Sequence, residues 1–293
     1  MFDKFILKLN YRGFLKFFSD KTALKILFKA KMGYKLNLND PITFNEKLQW
    51  LKLYDRKDEY TNMVDKYEVK KIIGDKIGEQ YVIPTFGVWD SFDEIDFSSL
   101  PEQFVLKCTH DSGGLVICKD KSCFDFNYAR KKISKCLKKN YYYLGREWPY
   151  KNVKPRIIAE KYMINDSEAD ELSDYKIFCF DGNPEYIYLH TGRFNEHRMT
   201  VFDCKWVRQN ISQAKDYGAP PAEYDIPKPA LLEEMLEKTR IISKGICHVR
   251  VDWYISGERL YFGEITFFDG SGFDSYDEYD QDLMLGKKIK LPR

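Results

Sequence analysis

Apolar positions in this chain keep a helical spacing up to about Leu100 and mostly a strand spacing beyond it. Phe2, Phe5, Ile6 and Leu9 recur at helix intervals, with Lys4, Lys8 and Arg12 between them. Ser19 and Asp20 are placed to cap a second short helix carrying Leu24, Leu27 and Phe28. Asp40-Pro41 breaks the pattern. Thr43 and Glu46 then read as a capping box opening a helix with Phe44, Leu48, Trp50, Leu51 and Leu53. A further helix is predicted over 60–73, ending at Gly74. Residues 81–88 read as a strand that Pro84 confines to an edge or a bend.

Past Leu100, runs 104–109 and 115–119 are apolar and flank His110-Asp111-Ser112-Gly113-Gly114, giving strand, glycine turn and strand. A basic helix is predicted over 128–139, then an aromatic loop over 141–154 and a strand over 156–162. Residues 175–180 and 185–190 form a hairpin across Asp181-Gly182-Asn183-Pro184. The polar stretch 193–229 holds one strand near 199–207. A helix over 231–244 leads to a last hairpin, 248–255 with 259–266, turning at Ser256-Gly257. An acidic run and a basic end close the chain. No repeat or low-complexity segment is seen.

Composition narrows the class. The 293 residues suit one large domain or two coupled subdomains, and 44% hydrophobic with 31% charged residues marks a soluble globular chain. A net charge of +2 is too balanced for a whole-protein nucleic-acid binder, so no nucleic acid is expected as partner. Seven cysteines without a C-x-x-C pair argue for a reducing compartment, and four histidines without ligand spacing argue against structural zinc. Neither a cleavable signal nor a bilayer-length apolar run is evident, so a cytoplasmic location is expected. The basic, aromatic first 36 residues allow two readings. One is peripheral contact with the inner face of the membrane; the other is a docked helix with a solvated face.

Four places offer chemistry. Lys107 precedes the His110–Gly114 turn. A strand lysine can reach a phosphate chain that two glycines let the backbone approach, although ordinary hairpins carry the same features. No Walker A or Rossmann pattern is present. Asp252 and Glu264 lie on the two strands of the last hairpin amid apolar neighbours. Carboxylates so placed need a cation: Mg²⁺ with nucleotide phosphates, or Arg250 or a lysine as a simple ion pair. Lys176, in Asp174-Tyr175-Lys176, opens an apolar strand and can hold phosphate, a substrate carboxylate or a strand-edge partner. The run from Ile157 to Met163 can carry adenine along its backbone.

The order of these pieces, with "PITFNEKLQWLKLYD", "VDKYEVKKIIGDKIGEQYVIPTFGVW", "LPEQFVLKCTHDSGG", "IIAEKY", "DYKIFCFDGNPEYI" and "RVDWYISGERLYFGEITF", resembles the TupA-like ATP-grasp family, named for teichuronopeptide biosynthesis. The resemblance spans about residues 38–273. It implies an α+β ATP-grasp fold, with two α+β subdomains clasping ATP between antiparallel sheets behind a helical N-terminal extension. The expected divisions are 1–38 (basic helical N-terminus), 39–99 (helical region), 100–160 (small subdomain with the glycine lid) and 161–293 (large subdomain with the metal hairpin). ATP and Mg²⁺ are the implied cofactors. Lys107 and Lys176 would be the catalytic lysines, both on ATP. His110, Asp111, Ser112, Gly113 and Gly114 would form the lid. Glu160, Lys161, Tyr162 and Met163 would sit at the adenine. Asp252, Glu264 and Thr266 would hold the metal, and Lys66, Arg193 and Arg250 are candidates for substrate contact. Asp65 and Lys66 match a family motif near the front of the site. Many ATP-grasp enzymes place Asn where Thr266 stands, which weakens a second metal site. The implied reaction is ATP-dependent ligation through an acylphosphate. It would join the carboxylate of a uronic-acid-containing glycan, or its lipid-linked precursor, to an amino acid or other amine in surface (capsular or O-antigen) polysaccharide assembly. Three other readings stay open. One is a glycosyltransferase, for which only Asp166-Ser167-Glu168 and Asp120-Lys121-Ser122 approach a D-x-D motif. The others are a non-catalytic binding module and a sugar kinase.

Overall fold

The computed structural model describes residues 2–163, 172–192 and 196–292. Among them the strands make two antiparallel sheets. The smaller contains β1 (Thr85–Trp89), β2 (Phe104–Cys108), β3 (Leu115–Cys118) and β4 (Ile157–Lys161), in the order β1-β4-β2-β3. The larger contains β5 (Asp174–Phe180), β6 (Asn183–Thr191), β7 (Arg198–Asp203), β8 (His248–Ser256) and β9 (Arg259–Thr266), in the order β7-β6-β5-β8-β9. Helices α1 (Phe2–Tyr11), α2 (Asp20–Met32), α3 (Phe44–Tyr54), α4 (Glu59–Val64) and α5 (Glu68–Ile77) precede the sheets. The helices α6 (Phe126–Leu137), α7 (Tyr142–Gly145), α8 (Ala214–Tyr217), α9 (Leu232–Ser243) and α10 (Tyr279–Lys288) lie between and after the strands.

Strand period two decides what each sheet shows to the other. In the small sheet Phe104, Leu106, Cys108, Val116, Cys118, Ile157 and Ala159 share one phase and bury with Ala129 and Ile133 of α6. The opposite phase carries Val105, Lys107, Leu115, Ile117 and Glu160, and lines the space between the sheets. In the large sheet Ile177, Val249, Val251 and Trp253 belong to the main core with Leu232, Met235 and Leu236 of α9. The Trp253 indole donates to Thr239 of that helix at 2.8 Å. The other phase aligns Asp174, Lys176, Arg250 and Asp252, with Lys176 directly opposite Asp252.

One irregularity re-aims this face. Val251 pairs with Ile265 and Trp253 with Phe262, so Gly263 and Glu264 together oppose Asp252. That β-bulge shifts the phase of β9 by one residue and brings Glu264 and Thr266 onto the face of Arg250 and Asp252. A Cβ on Gly263 would lie 2.9 Å from the Tyr254 ring, so a side chain there crowds the bulge.

Three predicted elements differ. The helix expected over 60–73 is two helices, α4 and α5, broken at Asp65-Lys66-Tyr67. The Asp65 carboxylate accepts from the N–H groups of Tyr67 and Glu68 at 2.8 and 3.3 Å and starts α5 anew, a side-chain cap that outcompetes continuation. Gly74 does not end the helix: α5 runs on to Ile77, and Gly78, at φ +114°, stops it. The expected strand over 81–88 begins only after Pro84, and β1 joins the small sheet, extending that unit back from residue 100. The closing acidic run, to which no element was assigned, is α10. Its Asp282 accepts from the N–H of Asn45 at 3.0 Å, and Lys47 donates to the carbonyls of Gly286 and Ile289 at 2.8 Å each.

The Thr43/Glu46 capping box and the Ser19 cap form as predicted. The N-terminal extension docks through its own small core, in which Leu15, Leu24, Leu27 and Phe28 bury with Phe273. Arg146 fastens it from the other side, donating to the carbonyls of Leu15 and Phe18 and pairing with Asp20 at 3.2 Å. The docked reading therefore holds for α2. Phe5, Phe14 and Phe17 stay on the surface, Phe17 at 89% exposure. No helix of the described residues is long and apolar enough to cross a membrane.

Candidate active site

The site lies between the sheets. On the small sheet, the register sets Lys107 opposite Ile158, one diagonal step from Glu160 on the same face. Their side chains meet at 2.5 Å, and Lys70 of α5 reaches the other Glu160 oxygen at 2.6 Å. Glu160 is buried. Burial alone would raise its carboxyl, but Lys107 and Lys70 outweigh it and hold the group at about 2. Lys70 shifts down: burial weighs more on it than the attraction of Glu160. Four residues before it, Lys66 occupies the break between α4 and α5. Its N–H donates to Thr109 O at 3.1 Å and its ammonium to the Asp111 carbonyl. Lys66, Lys70 and Lys107 thus converge on one small cavity, whose far wall includes Tyr254, Gly263 and Glu264 of the large sheet. Three lysines around one committed carboxylate make a site for an anion with several charges, such as a phosphate chain.

Lys70 is a site residue that the sequence did not disclose. The signal was its position four residues after Lys66, on one face of the helix predicted over 60–73.

Beside this cavity opens a larger cleft of about 550 Å³. Val105, Leu115 and Ile117 form its apolar floor, with Lys161, Tyr162 and Met163 along one side and Tyr254 and Asp174 from the large sheet. The strand end at Lys161–Met163, expected at the adenine, borders this apolar slot. Glu160 does not belong to it. Expected at the adenine, it shares the face of Val105 but is drawn to the neighbouring cavity by the two lysines.

The glycine turn is built from side chains that serve the turn itself. The His110 imidazole is buried against the end of α6, 3.2 and 3.0 Å from the carbonyls of Cys136 and Lys139, and so faces away from the cleft. Asp111 accepts from the Gly114 N–H at 2.9 Å. A Cβ at Gly114 would fall 2.6 Å from Cys108 Sγ, whereas Gly113 has open space around it. Ser112 is exposed and donates to Tyr141 at 3.1 Å. Of these five residues, the exposed Ser112-Gly113 backbone is the part free to approach a ligand.

Across the cleft, Arg250 is the hub of the acidic cluster. Its guanidinium pairs with Asp252 at 2.6 and 2.7 Å, with Glu264 at 2.8 Å and with Asp269. Lys176 pairs with Asp252 at 2.8 Å and Asp174 at 3.0 Å. Burial pushes the Arg250 guanidinium down, but Asp252, Asp269 and Glu264 hold it well above its ordinary value. Burial and Arg250 likewise press on Lys176, and Asp252, Asp174 and Glu264 keep it raised. Asp252 and Glu264 therefore come together as predicted, but with Arg250 between them, which is the ion-pair alternative. Asp269 is an added member, five residues beyond Glu264. Thr266 stands 3.5 Å from the Glu264 carboxylate. Arg193 lies outside the described residues, as does Asp166-Ser167-Glu168. Asp120 folds back on Ser122 at 2.8 and 2.7 Å, a local turn and not a metal-binding D-x-D.

The carboxylates point at Arg250, and among the described residues no group of His, Cys, Asp or Glu is poised as a closed metal cage. Donor type nevertheless fits a divalent cation. Among the described residues, Asp252, Glu264 and Asp269 gather carboxylate oxygens around Arg250, and Asp174 and Asp252 around Lys176. Hard oxygen donors of this kind suit Mg²⁺ with phosphate oxygens completing its shell. Glu264, 40% exposed, is the donor open to the cleft.

Residues 46–290 match the sequence profile described as TupA-like ATPgrasp. The chain belongs to the TupA-like ATP-grasp family. ATP and Mg²⁺ are accordingly its cofactors, and ligation at the expense of ATP is its reaction class. No curated protein matches significantly in sequence. Among solved structures, D-alanine–D-alanine ligase from Helicobacter pylori is 14% identical over 84% of this chain and 69% of its own, with a TM-score of 0.42. The Bacillus anthracis D-alanine–D-alanine ligase complexed with ATP is 17% identical over 78% and 65%, at 0.41. The ATP-grasp ligase PsnB, complexed with a phosphomimetic variant of its minimal precursor, Mg and ADP, is 8% identical over 97% and 73%, at 0.43.

Proposed function

We propose that this chain is an ATP-dependent carboxylate–amine ligase of bacterial surface polysaccharide assembly, forming an amide between a hexuronic acid and an amino acid or other amine. The supporting observation is the divided cleft. Lys66, Lys70 and Lys107 gather on one wall with Glu264 on the other, and Glu264 pairs with Arg250, which with Lys176 lines a neighbouring cavity of about 170 Å³. Phosphoryl transfer to a carboxylate needs both halves: cations to hold two anionic reactants together and a metal-binding acid cluster beside them.

In this reading adenine occupies the apolar slot at Tyr162–Met163 and the phosphates run toward Lys107, Lys70 and Lys66. Asp252, Glu264 and Asp269 would hold Mg²⁺, with Thr266 at the margin. When bound, the metal offsets charge on the β- and γ-phosphates. Arg250 and Lys176 orient the uronate so that its oxygen attacks the γ-phosphorus as the bond to ADP breaks, giving an acylphosphate. The amine nitrogen then attacks the acyl carbon, the C–O bond to phosphate breaks, and the amine proton leaves to solvent. Ser112-Gly113 closes over the phosphates, and exclusion of water there protects the acylphosphate from hydrolysis.

The N-terminal surface supports a second part of the proposal, peripheral contact with the inner membrane face. Exposed Phe5, Phe14 and Phe17 stand among exposed Lys4, Lys8, Lys16 and Lys21, the composition that inserts rings beneath anionic headgroups. Binding to phosphatidylglycerol vesicles and not to phosphatidylcholine, lost in Phe17→Ser, is the expected behaviour.

An ADP-release assay with glucuronate- or galacturonate-containing glycans and a panel of amino acids tests the ligase. Amide product with stoichiometric ADP is expected. The reading fails if no uronate and amine pair releases ADP above background while Mg-ATP leaves the thermal midpoint unmoved. Stabilisation by a UDP-sugar without any ATP effect would favour a glycosyltransferase instead.

A further inference from the structure

A third cavity, about 280 Å³, lies between the N-terminal extension and the end of α6, next to the glycine turn. Its size is near the lower end of small-molecule sites, roughly 300–1,000 Å³, enough for a sugar ring and too small for a nucleotide. Arg12 and Lys16 of the extension face Lys138 and Lys139 across it. Asp111 is the sole acid among the described residues of the lining, and its carboxylate is committed to the Gly114 N–H. The cations already sit over rings: Lys16 lies 5.0 Å from the Tyr143 centroid and Lys139 5.1 Å from that of Tyr11.

Asn10 supplies an independent sign of a ligand. It lines the same cavity at 8% exposure. Its amide nitrogen donates to the Leu144 carbonyl at 2.9 Å, but its Oδ1 is buried without a hydrogen-bond partner. A buried acceptor left open is costly, and a ligand hydroxyl would satisfy it. Four cations, tyrosine faces and an unfilled amide acceptor together describe a carboxylated sugar: charge for the anion, rings for its C–H face and an acceptor for its hydroxyl.

The cavity also connects with the reaction centre. Asp111, Ser112 and Gly113 line it, and the Asp111 carbonyl takes the Lys66 ammonium from the phosphate cavity. Tyr141 lines it too. Burial raises that phenol first, and the charges of Glu147 and Glu264 raise it further, so its hydroxyl lies within the field of the candidate metal carboxylate. Residues 10–16, which make one wall, precede the family match at 46–290.

We infer that this cavity, walled by Asn10–Lys16 and the end of α6, is a subsite for an anionic sugar residue of the acceptor glycan adjoining the reacting uronate. This rests on the ligase reading for the identity of the reaction, but the binding itself is measurable without turnover. Calorimetry would titrate the full chain, without ATP, with a glucuronate-containing hexasaccharide, a neutral glucan hexasaccharide and inorganic phosphate. Binding of the uronate glycan alone is expected. The charge reversals Lys16→Glu and Lys139→Glu, both at exposed positions, should together weaken it about tenfold while circular dichroism stays native. Asn10→Asp, which adds repulsion at the open acceptor, should weaken it as well. The Mg-ATP thermal shift should persist in all three. Equal affinity for the neutral glycan, equal affinity for phosphate, or unchanged binding in the double reversal would each overturn the subsite. Uronate binding without ADP release would keep the subsite and remove the ligase; ADP release with no measurable glycan affinity for this cavity would do the reverse.

Discussion

Replacing Glu160 by Gln isolates the small-sheet half of the cleft. In the native chain this carboxylate bridges Lys70 and Lys107 at 2.6 and 2.5 Å and is held at about 2, against an ordinary 4.5. A group lowered on folding stabilises the fold above its unfolded value and loses that contribution as pH falls toward the folded one. The gap between 4.5 and about 2 corresponds to roughly 3 kcal/mol at pH 7, at about 1.4 kcal/mol per unit. The same relation leaves roughly 1 kcal/mol at pH 3. Removing one partner of a buried pair costs about 3–5 kcal/mol in general, which agrees. Glu160→Gln should therefore lower stability by about 3 kcal/mol at pH 7, or about 5–10 °C in thermal midpoint for a chain of this size. Urea unfolding of both proteins at pH 7, 4.5 and 3 measures it, and the difference should shrink at each step downward. Saturating Mg-ATP should close part of the gap at pH 7 by giving the released lysines a new anionic partner. A difference below about 0.5 kcal/mol at pH 7, or one that stays constant to pH 3, refutes the bridging role, since a neutral packing change has no reason to titrate.

Three further outcomes follow from the geometry. Lys107→Ala and Glu264→Ala should each abolish turnover and the Mg-ATP thermal shift while circular dichroism stays native, and EDTA should remove the ATP shift from the unaltered chain; retention of the shift in either variant counts against the split site. Gly114→Ala should cost about 1–3 kcal/mol by forcing a Cβ to within 2.6 Å of Cys108 Sγ, while Gly113→Ala, with open space, should stay within about 0.5 kcal/mol in the same denaturation assay. His248 is buried and lowered to about 4, chiefly by burial, so stability should fall as pH drops from 6.5 toward 4. His248→Phe should flatten that slope in pH-dependent melting, and an unchanged slope would assign it to other groups.

Local pattern was enough to place most strands, the capping box at Thr43 and the final hairpin. Each depends on neighbours within a few residues, and those neighbours are written in order along the chain. The family order of Lys107, Lys176, Asp252 and Glu264 was legible for the same reason. Helix α10 was not, because its polar residues are ordered by bonds to Asn45 and Lys47, more than two hundred residues away. Nor was the split of the helix at Asp65, where a cap competes with a good helical pattern.

The sequence by itself determined the fold class, the order of the strands' apolar phases and the residue types available to a nucleotide site. Only the tertiary structure decided which charges meet. A one-residue bulge opposite Asp252 turned Glu264 toward Arg250, strand register brought Glu160 to Lys107, and helix docking added Lys70. Coulomb interactions act through space at a few ångströms, so their partners are set by packing and register, which no local spacing records.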